Sequence, residues 1–135
     1  MYNNRPVTAC PFCMTAKCNK LSHRLVKFDS TGEYKRWCYL KEAKWAKDLE
    51  LKPELSLYAY RPHLFRGSRG YIGIITPDYS YYDTRIKKTV VEDYKGGADL
   101  PDLFKYRWKI LGFNYPKYEL RISNKFNDFS DSVKK

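Results

Sequence analysis

An α/β fold with a mixed central sheet flanked by helices is what the sequence predicts, from three observations. Ser30-Thr31-Gly32-Glu33 has the form of a capping box ahead of a run with helical spacing. Segments rich in β-branched and aromatic residues follow, with the two-residue alternation of strands. Asp99 and Pro101 then open a second helical run that leads into a last alternating segment. At 135 residues the chain can bury one real core but is too short for two domains of ordinary size.

Taken in order, residues 1–27 are basic and cysteine-rich, with Pro6 and Pro11 and no sustained period, which suits a metal-held extension. Tyr34, Trp37, Leu40, Trp45 and Leu49 recur at three- and four-residue spacings and predict a helix from about 31 to 49, stopped by Pro53. Leu55, Leu57 and Ala59 alternate with Ser56, Tyr58 and Tyr60 as a strand, and Arg66-Gly67-Ser68-Arg69-Gly70 reads as a turn. Tyr71 to Thr76 is apolar and β-branched and predicts a central strand. Thr89 to Lys95 predicts another, joined to it through the tyrosine-rich connection at Tyr79 to Tyr82, to make a three-stranded meander. Gly96 and Gly97 break that strand. The second helix carries Phe104, Trp108 and Leu111 on one face and stops at Gly112, and Tyr118, Leu120 and Ile122 form the last strand. The core is thus expected over 28–123, in the order helix, three strands, helix, strand, with a polar, frayed tail over 124–135.

Charge narrows the function. Lys and Arg total 26 against 15 Asp and Glu, a formal charge of +11, so the chain's field attracts polyanions. With 17% aromatic residues available for stacking, DNA is the expected partner. No apolar run is long enough to span a bilayer, and Met1 to Arg5 lacks the hydrophobic stretch of a signal peptide, so a cytoplasmic location away from membranes is expected. The chain has no Gly-x4-Gly-Lys phosphate loop, no Ser-His-Asp arrangement and no nucleotide-binding glycine fingerprint.

In a reducing compartment, four cysteines with three crowded into nine residues are more naturally metal ligands than disulfides. Cys10, Cys13, Cys18 and His23 follow a C-x2-C-x4-C-x4-H spacing, compact enough for four tetrahedral zinc ligands. Cys38 is the alternative fourth ligand, although its neighbours Trp37, Tyr39 and Leu40 favour a core role for it. A closed four-ligand site is structural, and the basic loop around it, with Arg5, Lys17, Lys20 and Arg24, offers a surface to DNA or to a protein partner.

A second metal site is expected at the sheet. Pro77-Asp78 ends an apolar segment, and Asp93 precedes Lys95 by two residues on the next strand, so alternation puts Asp93 and Lys95 on one face. Phosphodiester hydrolysis calls for a hard cation such as Mg²⁺ or Mn²⁺ on carboxylates, here Asp78 and Asp93 with Glu33 as a further ligand. Lys95 would position or help deprotonate the attacking water and stabilise the transition state. Glu92 faces the opposite way in a regular strand, and a bulge would exchange it with Asp93.

Phe28-Asp29-Ser30 with Glu33, Asp48 to Pro53, Pro77-Asp78-Tyr79 with Tyr81-Tyr82-Asp83, and Val90-Val91-Glu92-Asp93-Tyr94-Lys95-Gly96 resemble successive motifs of a phage-borne group of PD-(D/E)xK endonuclease-like proteins. The resemblance runs from about Asn19 to Ile122. It implies a restriction-endonuclease-like fold and Mg²⁺-dependent DNA cleavage, with Glu33, Asp78 and Asp93 on the metal and Lys95 as the catalytic lysine. Relatives in that superfamily include Holliday junction resolvases, which implies branched or structured DNA as substrate, a homodimer, and a host-cell cytoplasm as location. The cysteine-rich start departs from the group's pattern.

Arg61, Arg66 and Arg69 interleave with Tyr58, Tyr60, His63 and Phe65 and are the candidate DNA contacts, against the reading in which the tyrosines cover the sheet and the arginines are solvated. The alternative function is a non-catalytic zinc protein that binds nucleic acid, or a regulatory subunit of a phage replication or transcription complex.

Overall fold

A computed structural model describes residues 5–13, 25–60, 69–96 and 99–125. The architecture is α/β, with a mixed four-stranded sheet and, among the described residues, two helices. The chain divides into two compact units, one of residues 1–44, 94–98 and 122–135, the other of residues 45–93 and 99–121.

In the first unit, β1 (Val7–Ala9) pairs antiparallel with β2 (Val26–Phe28), and helix α1 (Thr31–Glu42) packs on β2. Ser30 caps α1 as expected, its hydroxyl accepting from the Glu33 N–H at 3.1 Å. Phe28, Trp37 and Leu40 are buried together, with the Phe28 ring edge-on to Tyr34. The Trp37 indole donates to the Pro11 carbonyl at 2.9 Å and so ties the N-terminal segment to the helix.

The helix is shorter than the sequence predicts. It ends at Glu42, where the Ala43 N–H reaches back to Tyr39 and Leu40, and Ala46–Leu51 is strand β3. Trp45 and Leu49 keep helical spacing by coincidence, since β3 is irregular: Asp48 sits at φ 53° and the register shifts between Lys47 and Glu50.

In the second unit the sheet order is β3, β6 (Tyr79–Asp83), β7 (Lys88–Tyr94), β8 (Glu119–Ser123), with β3–β6 and β6–β7 antiparallel. The meander is therefore β3-β6-β7. The tyrosine-rich stretch expected to be a connection is its middle strand, with Tyr79, Tyr81 and Asp83 buried on one face. Tyr71 to Thr76 is not a central strand: among the described residues β5 (Arg69–Ile75) pairs only with β4 (Leu55–Tyr60), as a hairpin inserted between β3 and β6 in the chain order. Gly73 at φ 142° and a register shift at Leu57/Tyr58 bend this hairpin, and Tyr71, Ile72 and Ile74 are exposed.

Helix α2 (Asp102–Asn114) links β7 to β8, the crossover that parallel neighbours need. It runs past Gly112, the expected stop, because Gly112 lies where the helix closes on Leu120 and Asn114 is used as a clamp. The Asn114 amide bonds both the N–H and the carbonyl of Tyr58, satisfying the backbone at the hairpin's irregularity. Leu57, Ile75, Val91 and Leu111 form a core on the face opposite Tyr79 and Tyr81, each worth about 1.5–3 kcal/mol when fully buried.

Candidate active site

Three strand ends meet at one edge of the second unit's sheet. Leu51 at the end of β3 pairs with Tyr79 at the start of β6, and Tyr79 pairs with Glu92 near the end of β7. The next residues outward are Lys52, Asp78 and Asp93. The Lys52 N–H donates to the Asp78 carbonyl at 2.8 Å, and the Asp78 N–H donates to Asp93 Oδ1 at 3.2 Å. The buried Pro77 before Asp78 fixes its own φ and offers no N–H, so it suits the entry to the strand. Asp93 is 7% exposed and Asp78 half-buried, so the pair is partly shielded from water.

Asp93 and Glu92 are now distinguishable. The β6–β7 register is regular from Tyr79↔Glu92 to Asp83↔Lys88, with no bulge to exchange them. Asp93 shares the parity of Val91 and engages Asp78, while Glu92 faces the other way and accepts the Tyr81 hydroxyl proton at 2.5 Å.

On that opposite face lies a buried polar network that sequence reasoning missed. Arg121 of β8 donates to the Tyr81 hydroxyl at 3.1 Å and reaches Asp83 Oδ2 at 3.4 Å. Arg85 grips both Asp83 oxygens at 3.0 and 2.8 Å and lies 3.5 Å over the Trp45 ring. Burial pushes the Asp83 carboxyl up, but the Arg85 hydrogen bonds and the Arg85 and Arg121 charges outweigh it and hold it below the usual range. Burial lowers Arg121, and its interactions with Tyr81, Glu92 and Asp83 outweigh that and raise it above its ordinary value. Two acids and two guanidiniums balance, which is what a buried charge cluster requires. The only sequence trace of it is Tyr81-x-Asp83-x-Arg85, which alternates like any half-buried strand.

Glu33 and Lys95 belong to the first unit. The Glu33 side chain is 4% exposed in the first turn of α1, and the half-buried Lys95 extends the ladder by donating its N–H to the Ser123 carbonyl at 2.9 Å. In the same unit the Cys13 N–H donates to the buried Cys10 Sγ at 3.3 Å. The Cys38 thiol is hydrogen-bonded to Tyr34, and burial pushes it up. Among the described residues, no three of His, Cys, Asp and Glu gather as a metal group. Cys18 and His23 lie outside the described residues, as do Arg61, Arg66 and the side chain of Arg69.

Compared with protein families, curated proteins and solved structures, the chain matches none. No described helix is long and apolar enough to cross a membrane.

Proposed function

We propose that this chain is a Mg²⁺- or Mn²⁺-dependent DNA endonuclease of the PD-(D/E)xK type. The observation that carries the reading is the pairing of Asp78 with Asp93 at the joined ends of β6 and β7, in a chain of formal charge +11. The order α1, β3, β6, β7, α2, β8 also fits a restriction-endonuclease-like core, with β4–β5 as an insertion.

The donor set suits a hard cation. Two carboxylates on adjacent strands supply oxygen ligands, and water and a DNA phosphate would complete the shell. When bound there, such a cation neutralises phosphoryl charge and acidifies a water. Asp93 does a further job itself, since its Oδ1 holds the Asp78 backbone. Lys95, two residues beyond Asp93, is assigned to orient the attacking water and to meet charge developing on the phosphate. In the N-terminal extension Cys10 and Cys13, with Cys18 and His23, are assigned a structural zinc. The Cys13 N–H to Cys10 Sγ contact brings the two Cys-x-x-Cys positions together.

Purified protein incubated with supercoiled, linear and four-way-junction DNA in Mg²⁺, Mn²⁺ or EDTA tests this reading. Metal-dependent cleavage supports it, and preference for the junction would place it with the resolvases. Tight DNA binding with no cleavage under any metal would instead favour the non-catalytic zinc protein.

A further inference from the structure

The strand registers put a lysine in line with the two carboxylates. Leu51↔Tyr79 and Tyr79↔Glu92 extend by one residue to a transverse row, Lys52, Asp78 and Asp93, at the same end of three adjacent strands. The Lys52 N–H bonded to the Asp78 carbonyl fixes the first two members, and the Asp78 N–H bonded to Asp93 fixes the third. All three belong to one compact unit.

Lys52 is also held at φ 52°, in the left-handed region where glycine or asparagine would be easier. A bulky side chain kept at a costly backbone position next to a candidate site points toward use of that side chain. Electrostatics gives the use. Two adjacent carboxylates repel a polyanion, and a lysine carried on the neighbouring strand end offsets that repulsion where a phosphate must approach.

We propose that Lys52 is a DNA-phosphate contact of this site, a positioning residue distinct from Lys95; the inference rests on the endonuclease reading above. The ammonium grips a backbone phosphate flanking the bond to be cut, so its contribution lies in binding.

The test compares wild type with Lys52→Gln, Lys52→Asn and Lys52→Arg. Affinity for duplex DNA is titrated against salt in EDTA, cleavage is followed in Mg²⁺, and thermal unfolding checks the fold. Loss of one phosphate contact should flatten the slope of log affinity against log salt by about 0.9. Gln and Asn should both show this and raise KM with kcat near wild type, and Arg should restore both. Asn accepts the left-handed backbone, so it serves if Gln unfolds. A folded neutral variant with the wild-type slope and KM overturns the Lys52 assignment alone, as does a defect that Arg fails to rescue. Wild type that neither binds nor cuts DNA overturns the endonuclease reading itself and the Lys52 assignment with it.

Discussion

The backbone N–H of Asp78 donates to Asp93 Oδ1 over 3.2 Å, so one carboxylate fixes the backbone that carries the other. Charge and hydrogen bond at Asp93 can therefore be separated by substitution. Asp93→Asn keeps an oxygen for the Asp78 N–H and should retain near wild-type stability while losing about 100-fold or more in cleavage rate. Asp93→Ala should lose the activity and also about 1–3 kcal/mol of stability in urea unfolding, because it leaves a partly buried donor unsatisfied. Equal stability of the two variants would count against a structural role for the bond.

Tyr81→Phe removes a hydrogen bond to the buried Glu92 carboxylate and a partner of Arg121. A cost of about 1–3 kcal/mol is expected, measured by chemical denaturation. Glu92→Gln keeps an acceptor for the Tyr81 hydroxyl but removes one of the two negative charges that answer Arg121, so it should cost more. The opposite ranking would mean that the Tyr81 bond, and not charge balance, holds the network together.

Stability should fall in acid through Asp83. Burial alone would raise this carboxyl, but Arg85 and Arg121 hold it below its ordinary value. Its folded value lies under the unfolded one, so its stabilisation is present above about pH 4 and fades as pH falls toward the lower, folded value. Asp83→Asn should flatten the acid limb of stability against pH, and an unchanged limb would show that other carboxylates govern it.

Gly32→Ala sets two effects against each other. Helix propensity favours alanine by about 1 kcal/mol. A Cβ at Gly32, however, would lie 2.8 and 2.9 Å from Cε2 and Cζ of the Tyr94 ring. Overpacking of this kind costs about 1–3 kcal/mol, so net destabilisation is expected, and it should vanish in a Tyr94→Ala background. Persistence of the defect without the ring would rule out the clash as its cause.

Zinc content separates the cysteines. Cys10→Ser should lose zinc by elemental analysis, whereas Cys38→Ser, whose thiol pairs with Tyr34, should retain it. The reverse pattern would make Cys38 a ligand.

Local chemistry made part of this molecule legible in advance. Ser30 announced α1, the apolar run Val90-Val91 announced β7, and Phe104, Trp108 and Leu111 announced α2, because each signal acts over a few residues. Strands β3 and β6 escaped detection for physical reasons. The charged, bulged β3 does not alternate cleanly, and β6 buries Asp83 because Arg85 and, from far along the chain, Arg121 answer its charge. Tyr71 to Ile75 misled in the other direction: its apolar residues suggested a central strand, yet it forms one arm of a hairpin with much of its surface exposed. At the candidate site the juxtaposition of Asp78 and Asp93 was readable from spacing, whereas Lys52 was not, since it sits at the end of a strand that the sequence disguised as helix.

The most direct test follows nicking of supercoiled plasmid by wild type and Asp93→Asn, side by side, with Mg²⁺ and with EDTA. Nicking by wild type in Mg²⁺ alone, with the variant slower by about 100-fold or more, is the expected result. Equal rates for the two proteins, or nicking that survives EDTA, would contradict a metal-dependent nuclease built on Asp78 and Asp93.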